Sequence, residues 1–238
     1  MVINMFLIYG KNCVNEAIRA GRKIYSLDIE ELADKKDPVF KKMLSDKHIP
    51  YQILPKKTMD KKYGPMHQGF GASVEPYKYA NLDDIVAKKK DGRKIFLVLD
   101  GIEDPHNLGA MIRSCDAFSI DGIIIPKNRS VSITETVAHV STGAIEYVPI
   151  IMVNNLAQAL ENLKKQNFWV VGTDASAKEY ASDIDKDLNI AVIIGSEGFG
   201  ISKVVKKTCD YYIQIPMTGH VNSLNASVSC GIILALLK

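Results

Sequence analysis

The sequence lacks the features that would indicate a membrane protein, a secreted protein or a metal centre. Its longest apolar runs, such as Ile190–Ile194 and Ile232–Leu237, are too short to span a bilayer. No basic region precedes a long apolar stretch at the N-terminus, so we expect no signal peptide and a cytoplasmic protein. The 4 cysteines are scattered, without a CxxC pair, which predicts reduced and mostly buried thiols. No carboxylates, histidines or cysteines have metal-ligand spacing, so we expect no metal.

The charge of the chain is small but unevenly distributed. Of the 238 residues, 47% are hydrophobic and 24% are charged, as in a packed globular protein, and the formal net charge is +3. Residues 1–81 carry 14 Lys and Arg against 9 Asp and Glu, whereas residues 94–238 carry 12 against 15. The basic N-terminal part indicates an anionic partner such as RNA, although lysine runs are also common on ordinary solvated surfaces.

A polar segment divides the sequence into two parts. We predict a first domain over residues 1–81, a linker over 82–93 and a second domain over 94–238. The first part is a small α/β domain in which a helix over Asn12–Ala20 should end at Gly21, and another should begin at Pro38. Its predicted strands are Phe6–Tyr9, Lys23–Ile29, Tyr51–Leu54 and Gly69–Val74.

The second part has the alternating strands and helices of an α/β protein with a mostly parallel sheet. Apolar runs alternate with helical stretches, as the crossovers between parallel strands require. The predicted strands are Ile95–Leu99, Gly122–Ile125, Tyr147–Ile150, Phe168–Gly172, Ile190–Ile194 and Tyr211–Ile215. Ligands of such sheets bind at the carboxyl ends of strands. We therefore expect the site in the polar segments 100–109, 172–176, 195–200 and 216–225.

The first chemically informative segment, Asp100–Ser114, leads from a strand into a helix. Asn107 is of a type that caps helices, and a cap is one interpretation of it. Arg113 lies nearly two turns into the helix, beside small residues that leave its guanidinium room to reach a site. Its planar fork suits a phosphate, whereas a lone helix arginine is otherwise an ordinary surface residue.

The second segment is the glycine-rich loop GSEGFGIS at residues 195–202. Its glycines let backbone N–H groups approach a ligand closely. The loop is not the dinucleotide pattern GxGxxG, because Glu197 occupies the position of the second glycine, and no GK[ST] follows as in a P-loop. A carboxylate in the loop argues against a phosphate and favours a polar or cationic ligand, of which a sulfonium is one.

The third segment, IPMTGHVNSLNASVSCG at residues 215–231, joins the last predicted strand to an apolar helix. Ser and Asn side chains cluster where this helix begins, and small residues follow them. One interpretation is an N-capped helix packed closely in the core, and the other is one wall of the ligand site.

In this order the three segments resemble the motifs of the SpoU/TrmH family of RNA ribose 2'-O-methyltransferases, within the SPOUT superfamily. The first motif of that family is an Asn with an Arg six residues later, as at Asn107 and Arg113, and the second resembles GSExxGIS. The third reads close to IPMxGxVxSLNxS, although Ala226 stands where the family often has valine. Before residue 94 the resemblance is weaker, but IYGKNCVNEAIRAGRKI and HQGFGA are similar to the family's substrate-binding domain.

The resemblance implies a C-terminal trefoil knot, a homodimer, and S-adenosyl-L-methionine bound in the knot. The implied cofactor residues are Gly195, Ile215 and Leu224, with Thr173 and Met217 as neighbours. The implied reaction site consists of Asn107, Arg113, Glu197, Ser223 and Asn225. Members with a similar N-terminal extension act on a guanosine of large-subunit ribosomal RNA, which is therefore the expected substrate. Transfer RNA is the alternative.

The implied reaction is attack of a ribose hydroxyl on a sulfonium methyl group. The resemblance makes Arg113 the general base, assisted by an RNA phosphate, but a guanidinium pKa above about 12 favours a role in orienting hydroxyl and phosphate. A non-catalytic RNA-binding protein of the same fold is one rival, although it would be expected to have lost Arg113, Glu197 or Asn225. A small-molecule oxidoreductase is another, and the missing dinucleotide pattern counts against it.

Overall fold

Two β-sheets organise the residues that the structure, a computed structural model, describes, namely 5–220 and 223–238. Each sheet belongs to its own compact unit. The first unit contains the described residues up to Lys78 together with Ile133–Tyr147. The second contains Tyr79–Ser132 and the described residues from Val148 to Lys238.

The first unit is a four-stranded sheet in the order β1-β4-β2-β3, with β2 and β3 parallel and the other pairings antiparallel. Numbered in chain order, its elements are β1 Phe6–Tyr9, α1 Lys11–Arg19, β2 Ile24–Glu30, α2 Glu31–Lys36, α3 Pro38–Asp46, β3 Gln52–Leu54, α4 Lys56–Tyr63, β4 Phe70–Val74 and α7 Glu135–Val140, with a 3-10 turn at Ala144–Glu146. The predicted strands and the first helix are confirmed to within one residue. Gly21 follows the first helix at φ +75°, and Asp37 caps the helix that begins at Pro38, as predicted.

The second unit is a seven-stranded sheet in the order β7-β6-β5-β10-β8-β11-β9, and every described pairing in it is parallel. Its elements are α5 Leu82–Ala87, β5 Ile95–Asp100, α6 Pro105–Ala117, β6 Gly122–Pro126, β7 Ile150–Val153, α8 Leu156–Lys164, β8 Phe168–Thr173, β9 Glu179–Tyr180, β10 Asn189–Gly195, α9 Lys203–Lys206, β11 Tyr211–Gln214 and α10 Ala226–Leu237, with a 3-10 turn at Ala181–Asp183. This confirms the α/β class with a mostly parallel sheet. The predicted trefoil knot stays a prediction.

The core of the second unit lies on both faces of this sheet. Strands β5 and β10 are almost entirely buried, which explains why they read as continuous apolar runs rather than alternating ones. On one face, Phe96, Leu160 and Ala191 belong to one apolar cluster. Elsewhere α10 packs against α6 and β10. All 4 cysteines are free, and Cys209 alone among them is only partly buried.

The observed division of the chain differs from the predicted one in two places. Segment 133–147, which the sequence assigned to the second domain, packs with the first unit. The predicted linker 82–93 contains the helix α5, because Leu82, Ile85 and Val86 form an apolar face at helical spacing within a polar segment. Asn81 caps this helix by accepting from the N–H groups of Asp83 and Asp84.

Strand β7 begins three residues later than the predicted strand Tyr147–Ile150. The chain passes through the 3-10 turn at Ala144–Glu146 first, and Pro149 then stands ahead of the strand without an N–H to donate. The two-residue edge strand β9 is too short to give a pattern and was not predicted. No helix in the described parts of the chain is both long enough and apolar enough to cross a bilayer.

Candidate active site

The carboxyl ends of four neighbouring strands converge at one edge of the parallel sheet. Strands β5, β10, β8 and β11 are adjacent, and the loops after β8, β10 and β11 enclose an open cleft of about 470 Å³. This volume lies in the range of small-molecule sites. The cleft also lies where ligands of open α/β sheets bind, because strand ends leave a crevice there.

All five residues that the resemblance assigned to a cofactor line this cleft. They are Thr173, Gly195, Ile215, Met217 and Leu224. The Thr173 hydroxyl donates to the Ile193 carbonyl oxygen at 2.8 Å, which ties the end of β8 to β10. The cleft therefore has a wall fixed by the sheet and, at Met217 and Leu224, apolar side chains that remain 36% and 41% exposed.

Asp174 lines the same cleft and was not among the predicted residues. Its carboxylate accepts hydrogen bonds from the Ser176 hydroxyl and N–H, and Lys206 lies 3.1 Å away. These contacts, with the Ser176 hydroxyl contributing most, lower the pKa of Asp174 to about 2. The signal that could have found it is its place in the polar segment directly after a buried strand.

The glycine-rich loop turns back on itself at the mouth of the cleft. Ser196 and Gly200 exchange two backbone hydrogen bonds of 3.1 and 2.9 Å. A Cβ on Gly195 would lie 2.2 Å from the carbonyl carbon of Gly200 and 2.4 Å from the nitrogen of Ile201. Glycine at 195 is therefore required by the close approach of the loop's own backbone.

Three predicted site residues from three distant segments form one hydrogen-bonded group, here called the Asn–Glu–Asn cluster: Asn107, Glu197 and Asn225. Glu197 Oε1 accepts from Asn225 Nδ2 at 2.7 Å, from Asn107 Nδ2 at 3.3 Å and from the N–H of Ala226 at 3.2 Å. Asn225 Nδ2 also donates to Asn107 Oδ1 at 3.1 Å. One carboxylate thus orients both amides and the start of α10.

The cap interpretation of Asn107 is wrong. Helix α6 begins at Pro105 and is capped by Asp104, which accepts from the N–H of His106 at 3.0 Å. Asn107 is the third residue of the helix, so its side chain is available to the cluster. For Asn225, the cap interpretation is confirmed, since its Oδ1 caps α10. Its Nδ2 belongs to the cluster.

Ser223 and Arg113 lie outside this cluster. Ser223 is exposed and lines the cleft, whereas Val221 and Asn222 of the same segment fall outside the described residues. Arg113 is exposed on α6 and does not line the cleft. Six helical residues separate it from Asn107, which places it about 120° around the helix and about 9 Å along it. The structure therefore brings three of the five reaction-site candidates together, puts Ser223 at the cleft, and leaves Arg113 apart.

Within the described residues, no three or more His, Cys, Asp or Glu side chains are grouped so that they could hold a metal ion.

Two family models match the chain. Residues 94–235 match the SpoU rRNA Methylase family. The chain belongs to that family. Residues 7–80 match a model described as RNA 2'-O ribose methyltransferase substrate binding. The first match covers β5 to α10, which together carry the cleft and the Asn–Glu–Asn cluster.

Curated relatives extend over nearly the whole chain. A protein of Staphylococcus aureus (strain MSSA476), named as a TrmH family tRNA/rRNA methyltransferase, is 46% identical over 232 residues, which is 96% of this chain and 93% of the relative. YacO of Bacillus subtilis (strain 168), named in the same way, is 45% identical over 230 residues, covering 95% and 92%.

Solved structures share the fold. The SpoU methyltransferase AviRb from Streptomyces viridochromogenes, in complex with the cofactor AdoMet, superposes with a TM-score of 0.80 at 22% identity, over 98% of this chain and 89% of AviRb. The A. aeolicus TrmH/SpoU tRNA modifying enzyme has a TM-score of 0.55 at 27% identity, over 65% and 77%. The mostly parallel sheet of this family member is therefore of the SPOUT type.

Proposed function

We propose that this chain methylates the 2'-oxygen of a ribose in structured RNA, using S-adenosyl-L-methionine, and that its target is a guanosine of large-subunit ribosomal RNA in the cytoplasm. The observation that carries the proposal is the convergence of Asn107, Glu197 and Asn225 beside a cleft lined by the cofactor candidates. The description of the N-terminal model supports the ribose oxygen as acceptor, and the family name supports ribosomal RNA. The relatives' names include both RNA classes, so transfer RNA is the alternative.

The cleft fits the methyl donor in size and in chemistry. Its volume of about 470 Å³ suits a nucleoside with an amino-acid tail. Leu224 and Met217 offer apolar contact, and the Asp174 carboxylate, which pairs with Lys206, adds a polar group to the same wall. AviRb was crystallised with AdoMet, which supports the same cofactor here. When bound, S-adenosyl-L-methionine supplies an electrophilic methyl group on its sulfonium.

The cluster leaves specific hydrogen-bonding groups for the substrate. Both N–H bonds of Asn225 Nδ2 are used, since it donates to Glu197 and to Asn107. Asn107 keeps one of its two N–H donors, and Glu197 keeps Oε2 without a partner among the described residues. These two groups can hold a ribose hydroxyl in a fixed orientation, which is the main contribution of a protein to a displacement whose reactivity comes from the cofactor. Arg113 projects from another side of α6, and we assign its long side chain to the RNA phosphate beside the ribose and, from there, to the hydroxyl. The guanidinium stays protonated, so the proton of the hydroxyl leaves through the phosphate to water.

The test is to map 2'-O-methyl groups in RNA from cells with and without the gene, and to add the purified chain back in vitro. The expected result is the loss of one 2'-O-methylguanosine from large-subunit ribosomal RNA, restored by the chain and S-adenosyl-L-methionine. Loss from a transfer RNA would favour the alternative substrate. An unchanged methylation map, with no methyl transfer in vitro, would favour a non-catalytic RNA-binding protein.

Gly195→Ala is expected to weaken binding of S-adenosyl-L-methionine by at least about 100-fold, or 2.7 kcal/mol. The added Cβ would overlap the backbone of Gly200, so the loop must open and the cleft wall is lost. Calorimetric titration in the presence of a chelator measures the affinity. Gly231→Ala is the matched control, because Gly231 does not line the cleft and an added Cβ there would meet only the Ser114 hydroxyl oxygen, at 3.6 Å. Normal affinity in Gly195→Ala would move the donor site elsewhere.

The first unit is expected to bind RNA through exposed lysines of α4. Lys56, Lys57 and Lys61 are exposed, whereas Lys62 is 2.6 Å from the buried carboxylate of Asp28. Changing the three exposed lysines to glutamine should weaken RNA binding and reduce the slope of log K against log salt by up to about 2–3, since each phosphate contact contributes about 0.7–0.9.

Filter binding at several salt concentrations measures this slope. Glutamine at Lys165, Lys178 and Lys203, three exposed positions of the second unit, makes the same change in net charge as a control. An equal effect of both triple variants would contradict a specific role for α4. Deletion of residues 1–81 is a poor substitute, because segment 133–147 would lose the unit it packs with.

The chain is expected to form a homodimer through the outer side of α10. One side of this helix is buried, and the other presents a stripe at helical spacing formed by Val228, Ile232, Ala235 and Leu236. Val228, 49% exposed, stands in this stripe. Light scattering should give the dimer mass for the native chain and a lower mass for Val228→Asp, with Val204→Asp on α9 as control. A monomer mass for the native chain at micromolar concentration would refute the proposal.

A further inference from the structure

A second cleft of about 470 Å³ adjoins the Asn–Glu–Asn cluster. It shares Ser196, Glu197 and Gly200 with the cofactor cleft, and Asn107 lines it as well. The reaction just proposed does not use the rest of this cleft. If the ribose of a substrate nucleotide lies at Glu197, the base attached to it lies only the width of the sugar away. This cleft is the nearest space that could receive the base.

Phe199 lines this second cleft and is 93% exposed, more than any other large apolar side chain among the described residues. The loop that carries Phe199 is held by hydrogen bonds at both ends. The paired residues Ser196 and Gly200 bracket it, and the N–H of Ser202 donates to the Asp100 carboxylate at 2.7 Å just beyond the loop. The loop backbone is thus held while the aromatic ring is left in water, which is unfavourable unless a partner covers it, and an unstacked RNA base is such a partner.

Glu103 supplies an unused carboxylate in the same cleft. It forms no hydrogen bond or ion pair with any residue that the structure describes. Asp100 and Asp104, by contrast, accept from the backbone N–H groups of Ser202 and His106. Glu103 is exposed and lines the cleft, and its two oxygens remain available as acceptors. Arg129 lines the cleft too and provides donors.

This combination matches one RNA base. The Watson–Crick edge of guanine presents, in order, the donor N2–H, the donor N1–H and the acceptor O6. A carboxylate accepts from both donors at once, and a guanidinium donates to O6. Uracil has a single donor between two acceptors, and adenine and cytosine each place an acceptor where guanine has N1–H, so none of the three offers a carboxylate two adjacent donors.

We propose that the second cleft is the subsite that selects the target base: Phe199 stacks on the base, while Glu103 and Arg129 pair with the edge of guanine. The inference rests on the proposed RNA methyltransferase function and adds to it the residues that choose the nucleotide. Phe199 and Glu103 act here on the base, not on the transferred methyl group.

The experiment compares guanosine with inosine, which lacks only the N2 amino group, at the mapped position of an RNA fragment. In single-turnover methylation, the native chain should modify guanosine about tenfold or more faster than inosine, since one charge-assisted hydrogen bond is lost. Glu103→Gln should slow methylation of guanosine about tenfold and reduce the guanosine to inosine ratio to near one. Glu161→Gln, at another exposed glutamate of the second unit, should change neither.

The ring is tested separately. Phe199→Ala should slow methylation about tenfold, because stacking on an aromatic ring is lost. Phe199→Trp should restore the rate and Phe199→Leu should not. Affinity for S-adenosyl-L-methionine and the midpoint of thermal unfolding should stay unchanged in all three, because the ring is exposed.

The outcomes separate this inference from the function on which it rests. An unchanged guanosine to inosine ratio in Glu103→Gln, or a mapped target other than guanosine, would overturn the inference while the ribose methyltransferase stands. A Phe199→Ala variant that loses only dimer mass would assign the ring to subunit contact and overturn it as well. If the native chain methylates no RNA ribose, the proposed function and the inference fall together.

Discussion

Replacing Arg113 with alanine is expected to slow single-turnover methyl transfer by about two to four orders of magnitude, or about 3–5 kcal/mol in the barrier. The variant should lose both the orientation of the ribose hydroxyl and the help in removing its proton. Affinity for S-adenosyl-L-methionine should barely change, because Arg113 is exposed and does not line the cofactor cleft. Arg113→Lys should fail nearly as badly, since an ammonium lacks the planar fork that engages phosphate and hydroxyl together.

The measurement is transfer of labelled methyl to RNA at saturating donor and RNA, which removes effects on binding. Lys165→Ala, at another exposed cation of the second unit, serves as the control for loss of surface charge. If Arg113→Ala keeps more than about a tenth of the native rate, a barrier change below about 1.4 kcal/mol, Arg113 is only a helper in RNA binding.

Glu197→Gln is expected to lower the same rate by about 30- to 1000-fold, or about 2–4 kcal/mol, since hydrogen bonds to a charged acceptor contribute about 1.5–3 kcal/mol each. Glu197 Oε1 accepts from Asn225, Asn107 and the N–H of Ala226, and the glutamine amide would oppose one or more of these donors. The unfolding temperature should fall only modestly, because Glu197 is exposed and water replaces part of what its hydrogen bonds contribute.

The rate and the thermal midpoint are both needed to interpret this variant. Glu161→Gln on α8 removes an exposed carboxylate of the same unit and should leave both unchanged. A Glu197→Gln rate within about threefold of the native rate, less than 1 kcal/mol in the barrier, would mean that the cluster only anchors the start of α10.

Much of the fold could be predicted because its strongest signals are local. The strands β5 and β10 are long apolar runs bounded by polar turns, and the sheet buries both faces of each, so the pattern and the structure agree. The place of segment 133–147 could not be predicted, because membership of a unit depends on contacts across the chain. Helix α5 was missed for a different reason: its apolar face is only three residues, within a segment that is polar on average.

The sequence proposes residues for the candidate site but not their arrangement. The motifs named the cluster, yet nothing in the sequence showed that the one carboxylate of Glu197 holds Asn107, Asn225 and the backbone of Ala226 together. Asparagine is common both as a helix cap and in polar sites, so the residue type alone could not distinguish the two for Asn107. In the structure, Asp104 caps α6. The spacing of six residues already implies that Asn107 and Arg113 cannot share one side of a helix. A comparison of motifs does not take this geometry into account.

The position of β10 between β5 and β8 also bears on how a newly made chain acquires activity. Ile190 of β10 pairs with Ile95 of β5. During synthesis, β5 therefore has no partner on this edge until the ribosome has added 95 more residues. At about 5–20 residues per second, that interval is roughly 5–20 s, during which an apolar strand edge is open to wrong partners or to a chaperone. Asn225 is made later still, and the cluster is incomplete without it. A nascent chain therefore completes the Asn–Glu–Asn cluster only when Asn225, at the start of α10, has been made.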